Sequence, residues 1–124
     1  MIEWVLVMVG AALGAPSRWF ADGFVQAKHD SVFPWGTFTV NVVGSLLLGF
    51  LLGAGLEGED FTRMMALAGT GFCGAFTTFS TFSYESVVLA EEGSSPVAVV
   101  NLVASVLAGL AMAFAGWGLA SALF

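Results

Sequence analysis

The chain has 124 residues, 58% hydrophobic and only 10% charged, with a mean hydropathy of +0.93. A soluble domain keeps roughly a quarter of its residues charged to wet its surface, so most of this surface faces something other than water. Nine acidic residues against three basic ones give a net charge of −6, which argues against nucleic acid and leaves no polybasic patch for anionic lipid.

One membrane crossing takes about 20 mostly apolar residues, so the chain reads as a single domain, 1–124, of four transmembrane helices. No positively charged leader or small-residue cleavage site precedes the first apolar run, so segment one is expected to be a retained helix. Segment one covers about 2–24, with Gly10 and Gly14 four apart and Pro16 within it. Segment two covers about 35–56, where Gly49 and Gly53 repeat the spacing, and segments three and four cover about 61–90 and 97–124. Small residues let helix backbones approach closely in lipid, so the two GxxxG pairs predict tight packing. The connectors 25–34, 57–60 and 91–96 are short and polar, which predicts antiparallel neighbours for consecutive helices. Their acids, Glu57, Glu59, Asp60, Glu91 and Glu92, read as a solvated rim.

Orientation is weakly encoded. Lys and Arg in short loops normally set which side stays inside the cell. Here Arg18 and Lys28 lie toward one side, and Arg63 and the terminal amine toward the other. Either three cations are too few to count, or the chain inserts both ways up and two opposed copies pair about an axis in the membrane plane.

The sharpest anomaly is residues 71–83, GFCGAFTTFSTFS, with five hydroxyl side chains and two glycines in 13 positions. Apolar runs at 64–68 and 87–90 flank it, so it lies at mid-membrane. Single Ser or Thr residues in a span can bond their own helix carbonyls. Five beside paired glycines predict a break in the third helix. Non-helical backbone at this depth is tolerated only where protein buries it or water reaches it, and broken spans are where transporters hold ions. Phe79 and Phe82, three apart, are either packing or ring edges turned toward an anion.

Other polar residues share that depth. Asn41 follows Thr37 and Thr39 in segment two and carries two amide donors. Asn101 and Ser105 form a polar edge on segment four; the asparagines either glue helices together or, with three polar-lined helices at one depth, belong to a polar track. Arg18 either pairs with Asp22 at i+4, the less favourable order, or attracts an anion. Glu85 is either on a pathway or hydrogen-bonded for structure. The lone cysteine, Cys73, excludes an intrachain disulfide and reads as buried packing. His29, the single histidine, reads as a solvated loop residue. No nucleophile–base pair is evident, so an enzyme is not expected.

With Gly10, Gly14, Ala15 and Arg18 in segment one, Gly36, Thr37, Val40, Asn41 and Gly44 in segment two, and GFCGAFTTFSTFSYE at 71–85, the chain closely resembles the Fluc (CrcB) family of fluoride channels. The resemblance spans the chain and is least close in segment four. It implies passive export of fluoride across the cell membrane to relieve its toxicity, by an antiparallel, dual-topology homodimer with two pathways. It also implies a structural Na⁺ at the dimer centre, held by the backbone carbonyls of Gly74 and Thr77. Phe79 and Phe82 match the family's pore phenylalanines and Asn41 its pore asparagine. Ser80 and Thr81 match its polar track, which Ser105 would continue. Ala75 and Asn101 depart from the residues often found there, Gly and Tyr, and Asn101 puts the track on segment four in question.

Two other classes compete. A small proton-coupled exporter of the drug-resistance type needs a carboxylate deep in a span, usually the first, which holds only Glu3 at its start and Asp22 past its centre. A non-transporting membrane scaffold would use the hydroxyls as helix glue alone.

Overall fold

The computed structural model describes residues 1–124 and contains helices and connectors only. Helix α1 (Ile2–Ala27) runs through Pro16, a tolerance typical of membrane helices, where neighbouring groups re-satisfy the freed backbone. Helix α2 (Trp35–Gly53) begins directly after Pro34. The third segment is divided into α3 (Gly58–Met64), a π-helix π1 (Met65–Cys73), the single turn α4 (Gly74–Phe76) and α5 (Ser80–Glu91). Helix α5 ends on Gly93, whose φ of 83° lets the Ser94 N–H reach the Leu89 carbonyl at 2.8 Å. This is the closure that a left-handed glycine gives a helix end. Helix α6 (Ser95–Leu123) follows at once, with Pro96 in its first turn.

Three helices, α1, α2 and α6, are each long and apolar enough to cross a membrane. Residues 58–91 form two helical limbs separated at residues 77–79. The ends differ modestly from the sequence reading. Helix α1 reaches Ala27 rather than residue 24, α2 stops at Gly53 rather than 56, and α3 opens at Gly58 rather than 61.

Consecutive segments do pack together, α1 with α2, α2 with π1 and α5 with α6, but these are not the most extensive contacts. The most extensive contacts are between α1 and π1 and between α2 and α6. Glycines select these pairs. A Cβ on Gly10 would strike the Leu67 carbonyl oxygen, and one on Gly14 that of Phe72. On the other side, Gly49 meets the Ala113 carbonyl, Gly53 that of Trp117, and Gly116 that of Leu46. Both GxxxG pairs therefore bring two backbones into contact, which is the close approach that dispersion packing in lipid requires. Only 20 of 124 residues are buried. So apolar a chain thus turns most of its apolar area outward, where lipid or another chain must cover it.

Candidate functional site

The helical ladder of the third segment fails at Thr77, whose backbone is extended (φ −84°, ψ 164°). The last bonds of the first limb both go to the Cys73 carbonyl, from the Thr77 N–H at 2.9 Å and from its hydroxyl at 2.8 Å. The break is thus confined to residues 77–79, narrower than the polar stretch 71–83, whose first part is π-helical and α-helical. The second limb starts with a side-chain cap: the Thr78 hydroxyl oxygen accepts the Thr81 N–H at 3.1 Å.

Side chains from the first two helices satisfy the broken backbone. The Thr78 N–H donates to Asn41 Oδ1 at 2.8 Å, and Asn41 Nδ2 donates to the Thr78 carbonyl at 3.0 Å. Arg18 Nε donates to the Ala75 carbonyl at 3.1 Å. Arg18 makes no ion pair with Asp22, so of the two readings of this cation the local pair is not the one adopted. The carbonyls of Gly74, Phe76 and Thr77 receive no hydrogen bond. Two of these three are the carbonyls expected to hold Na⁺. Neutral, hard oxygens freed at a helix break suit an alkali cation, and the chain has no cluster of His, Cys, Asp or Glu that could hold a metal instead.

An open groove of about 610 Å³ lies against the break, and its lining includes Asn41, Gly74, Thr77, Phe79, Phe82 and Ser105. Six of the ten expected site residues therefore share one cavity, while Arg18, Ser80, Thr81 and Glu85 lie outside its lining. Phe79 is 77% exposed and Phe82 only 9%, with ring centroids 6.0 Å apart and planes at 52°. Ser80 is exposed beside them, its hydroxyl 3.4 Å from that of Thr78, and Thr81 is half-buried. Glu85 accepts a 2.5 Å hydrogen bond from the Thr37 hydroxyl, which ties α5 to the start of α2.

A second polar line leaves the groove on α6. The Ser105 hydroxyl donates to Asn101 Oδ1 at 3.2 Å, Asn101 Nδ2 donates to Ser86 Oγ at 2.9 Å, and Ser86 donates to the Phe82 carbonyl at 2.9 Å. Asn101 is fully buried, so this amide holds α6 to α5, the glue reading. Ser86 and the capping role of Thr78 were not singled out from the sequence. The available signal for Ser86 was a hydroxyl four residues after Phe82, directly before the apolar run 87–90.

Comparison with known proteins gives a consistent result. The family model described as CrcB-like protein, Camphor Resistance (CrcB), matches residues 5–117. The fluoride-specific ion channel FluC 1 of Streptomyces avermitilis is 52% identical over 99% of both chains, and that of Frankia casuarinae is 49% identical over 99% of both. The fluoride-specific ion channel FluC of Methanocaldococcus jannaschii is 44% identical over 98% of this chain and 97% of its own. With its three long apolar helices, the protein is a multi-pass cell-membrane protein. It belongs to the CrcB family.

Proposed function

We propose that this protein is a passive, fluoride-selective ion channel that lets fluoride leave the cell, relieving its toxicity. The two limbs at 58–76 and 80–91 serve together as one broken crossing, so each subunit spans the membrane four times. Two subunits pair antiparallel, inserted both ways up, and enclose two pathways. The observation that carries this reading is the open groove at the break, where hydroxyls, an amide and Phe rings stand at a depth that lipid would fill with apolar side chains. The relatives, not the geometry, single out fluoride among anions.

Fluoride is small and strongly hydrated, so its water must be replaced by donors that do not hold it too tightly. Ser80 and Thr81 offer hydroxyls, Ser105 offers its own once it turns from Asn101 Oδ1, and Asn41 keeps one amide hydrogen beyond the one it gives to Thr78. Phe79 and Phe82 offer the positive edges of their rings. Arg18 retains guanidinium N–H groups beyond the one on Ala75 and attracts the anion toward the break. Glu85, engaged with Thr37, stands at the pathway's outer part. A bound Na⁺, held by the Gly74 and Thr77 carbonyls, adds positive potential at the break and joins the two copies there. Gly74 is exposed toward the groove, which supports its carbonyl being shared with a partner.

The test is anion efflux from liposomes holding the purified chain. Fluoride is expected to leave rapidly while chloride is retained. Chloride leaking as fast as fluoride, or no flux of either, overturns the proposal.

A further inference from the structure

We infer that Asn41 is a positioning residue that sets the shape of the break, and that through Thr78 it fixes the candidate cation site and the candidate anion path together. The inference rests on the channel reading above for the two ions, but its geometric part stands on the hydrogen bonds alone.

Thr78 is the middle residue of the break. In a continuous helix its N–H would go to Gly74 and its carbonyl would accept from Phe82. Neither bond forms, and both groups go instead to one side chain, Asn41, at 2.8 and 3.0 Å. An amide offers an acceptor and a donor side by side, so it completes both bonds of a peptide unit. The orientation of the amide is fixed by chemistry, since a peptide N–H needs an oxygen and a peptide carbonyl needs an N–H.

Left unpaired at membrane depth, each of these backbone groups would pull Thr78 back into the helix ladder. That return would give the Gly74 carbonyl a helical partner and remove it as a cation ligand. It would also turn the next residues, Phe79 and Ser80, about the helix axis and away from their present positions. Asn41 is itself anchored. Its backbone carbonyl accepts the Ser45 hydroxyl at 2.8 Å, and Gly44, one turn on, admits the Thr77 methyl so closely that a Cβ would strike it. Arg18 braces the same turn from α1 through Ala75. The break is thus gripped from two helices, and Asn41 holds the only residue whose two backbone groups are both diverted.

Amide hydrogen exchange on the full chain in lipid nanodiscs tests the clamp without reference to any ion. In the wild-type protein the Thr78 amide should exchange at least tenfold more slowly than that of Phe79, which has no acceptor. Asn41→Ser, too short to reach Thr78, should raise Thr78 exchange at least tenfold while leaving the α5 amides after Ser86 unchanged. Asn41→Asp keeps the acceptor and loses the donor, and should fall between the two. In liposomes, the Na⁺ concentration that half-saturates fluoride flux should rise at least fivefold in Asn41→Ser, with Asn41→Asp again intermediate. Equal exchange of Thr78 and Phe79 in the wild type overturns the inference even if no variant folds. Flux lost in Asn41→Ser with Thr78 protection and Na⁺ dependence unchanged also overturns it, since Asn41 would then act on the anion alone. A wild-type chain that passes no fluoride sinks the channel reading and leaves the exchange result to judge the clamp.

Discussion

Two regions of this small protein solve the problem of packing helices in lipid by opposite means. Where α1 meets π1 and α2 meets α6, glycines strip away side chains until backbones touch. At residues 77–79 the backbone opens, and long polar side chains from α1 and α2 reach across to satisfy it. The first kind of contact tolerates almost no added volume but needs no specific chemistry. The second leaves room, a groove of about 610 Å³, and depends on individual donors and acceptors. Close-packed helix pairs and an open groove are thus built from the same four segments by changing what fills the gap between helices.

The contrast can be broken first on the scaffold side. Gly49→Val would push a branched side chain into the Ala113 carbonyl, and backbone cannot rotate away as a side chain can. Destabilisation of about 3 kcal/mol, the upper end for overpacking, is expected, read as loss of folded protein in a thermal or denaturant series in detergent. Gly23→Ala, with nothing within 4 Å of the added methyl, is the matched control and should leave that curve within about 1 kcal/mol of wild type. A smaller effect is expected from the buried polar line. Ser86→Ala removes the partner of Asn101 Nδ2, and an interhelical hydrogen bond in a membrane is worth about 1 kcal/mol. The same unfolding series measures it. The smallest effect belongs to the rim: Arg63 and Glu59 lie 3.5 Å apart at i, i+4, both well exposed. Arg63→Ala should shift stability by less than about 0.5 kcal/mol and less still in high salt.

The two regions also differ in how far the sequence disclosed them. Gly10, Gly14, Gly49 and Gly53 announced close packing by their spacing alone, because small residues four apart lie on one helix face. Which helix each pair would touch was not encoded locally: consecutive segments are neighbours, as their connectors predict, but the glycine pairs join the first segment to the third and the second to the fourth. The break was visible in composition, since Thr77, Thr78, Ser80 and Thr81 stand where lipid calls for apolar residues. Its confinement to 77–79 was not, and neither was the π-helical widening at Met65–Cys73, a run of apolar and small residues with no distinguishing pattern. The clamp on Thr78 joins residues 37 apart, and the Thr37–Glu85 bond joins residues 48 apart. Such partners are set by the packing of whole helices, so donors and acceptors could be recognised one by one but not matched. Arg18 illustrates the limit. Its charge drew attention to Asp22 and to anions, and its Nε took the Ala75 carbonyl, a backbone acceptor of a kind every residue offers.

The central claim is that the ion crosses at the break and not elsewhere in the bundle. Its most direct test is fluoride efflux from liposomes holding Phe79→Ile or Phe82→Ile, with the oligomeric state checked alongside by size-exclusion chromatography. Isoleucine keeps much of the apolar bulk but lacks the positive ring edge. The account predicts at least a tenfold fall in fluoride efflux in each variant with assembly unchanged. Wild-type efflux in both would contradict it and return the two rings to a packing role.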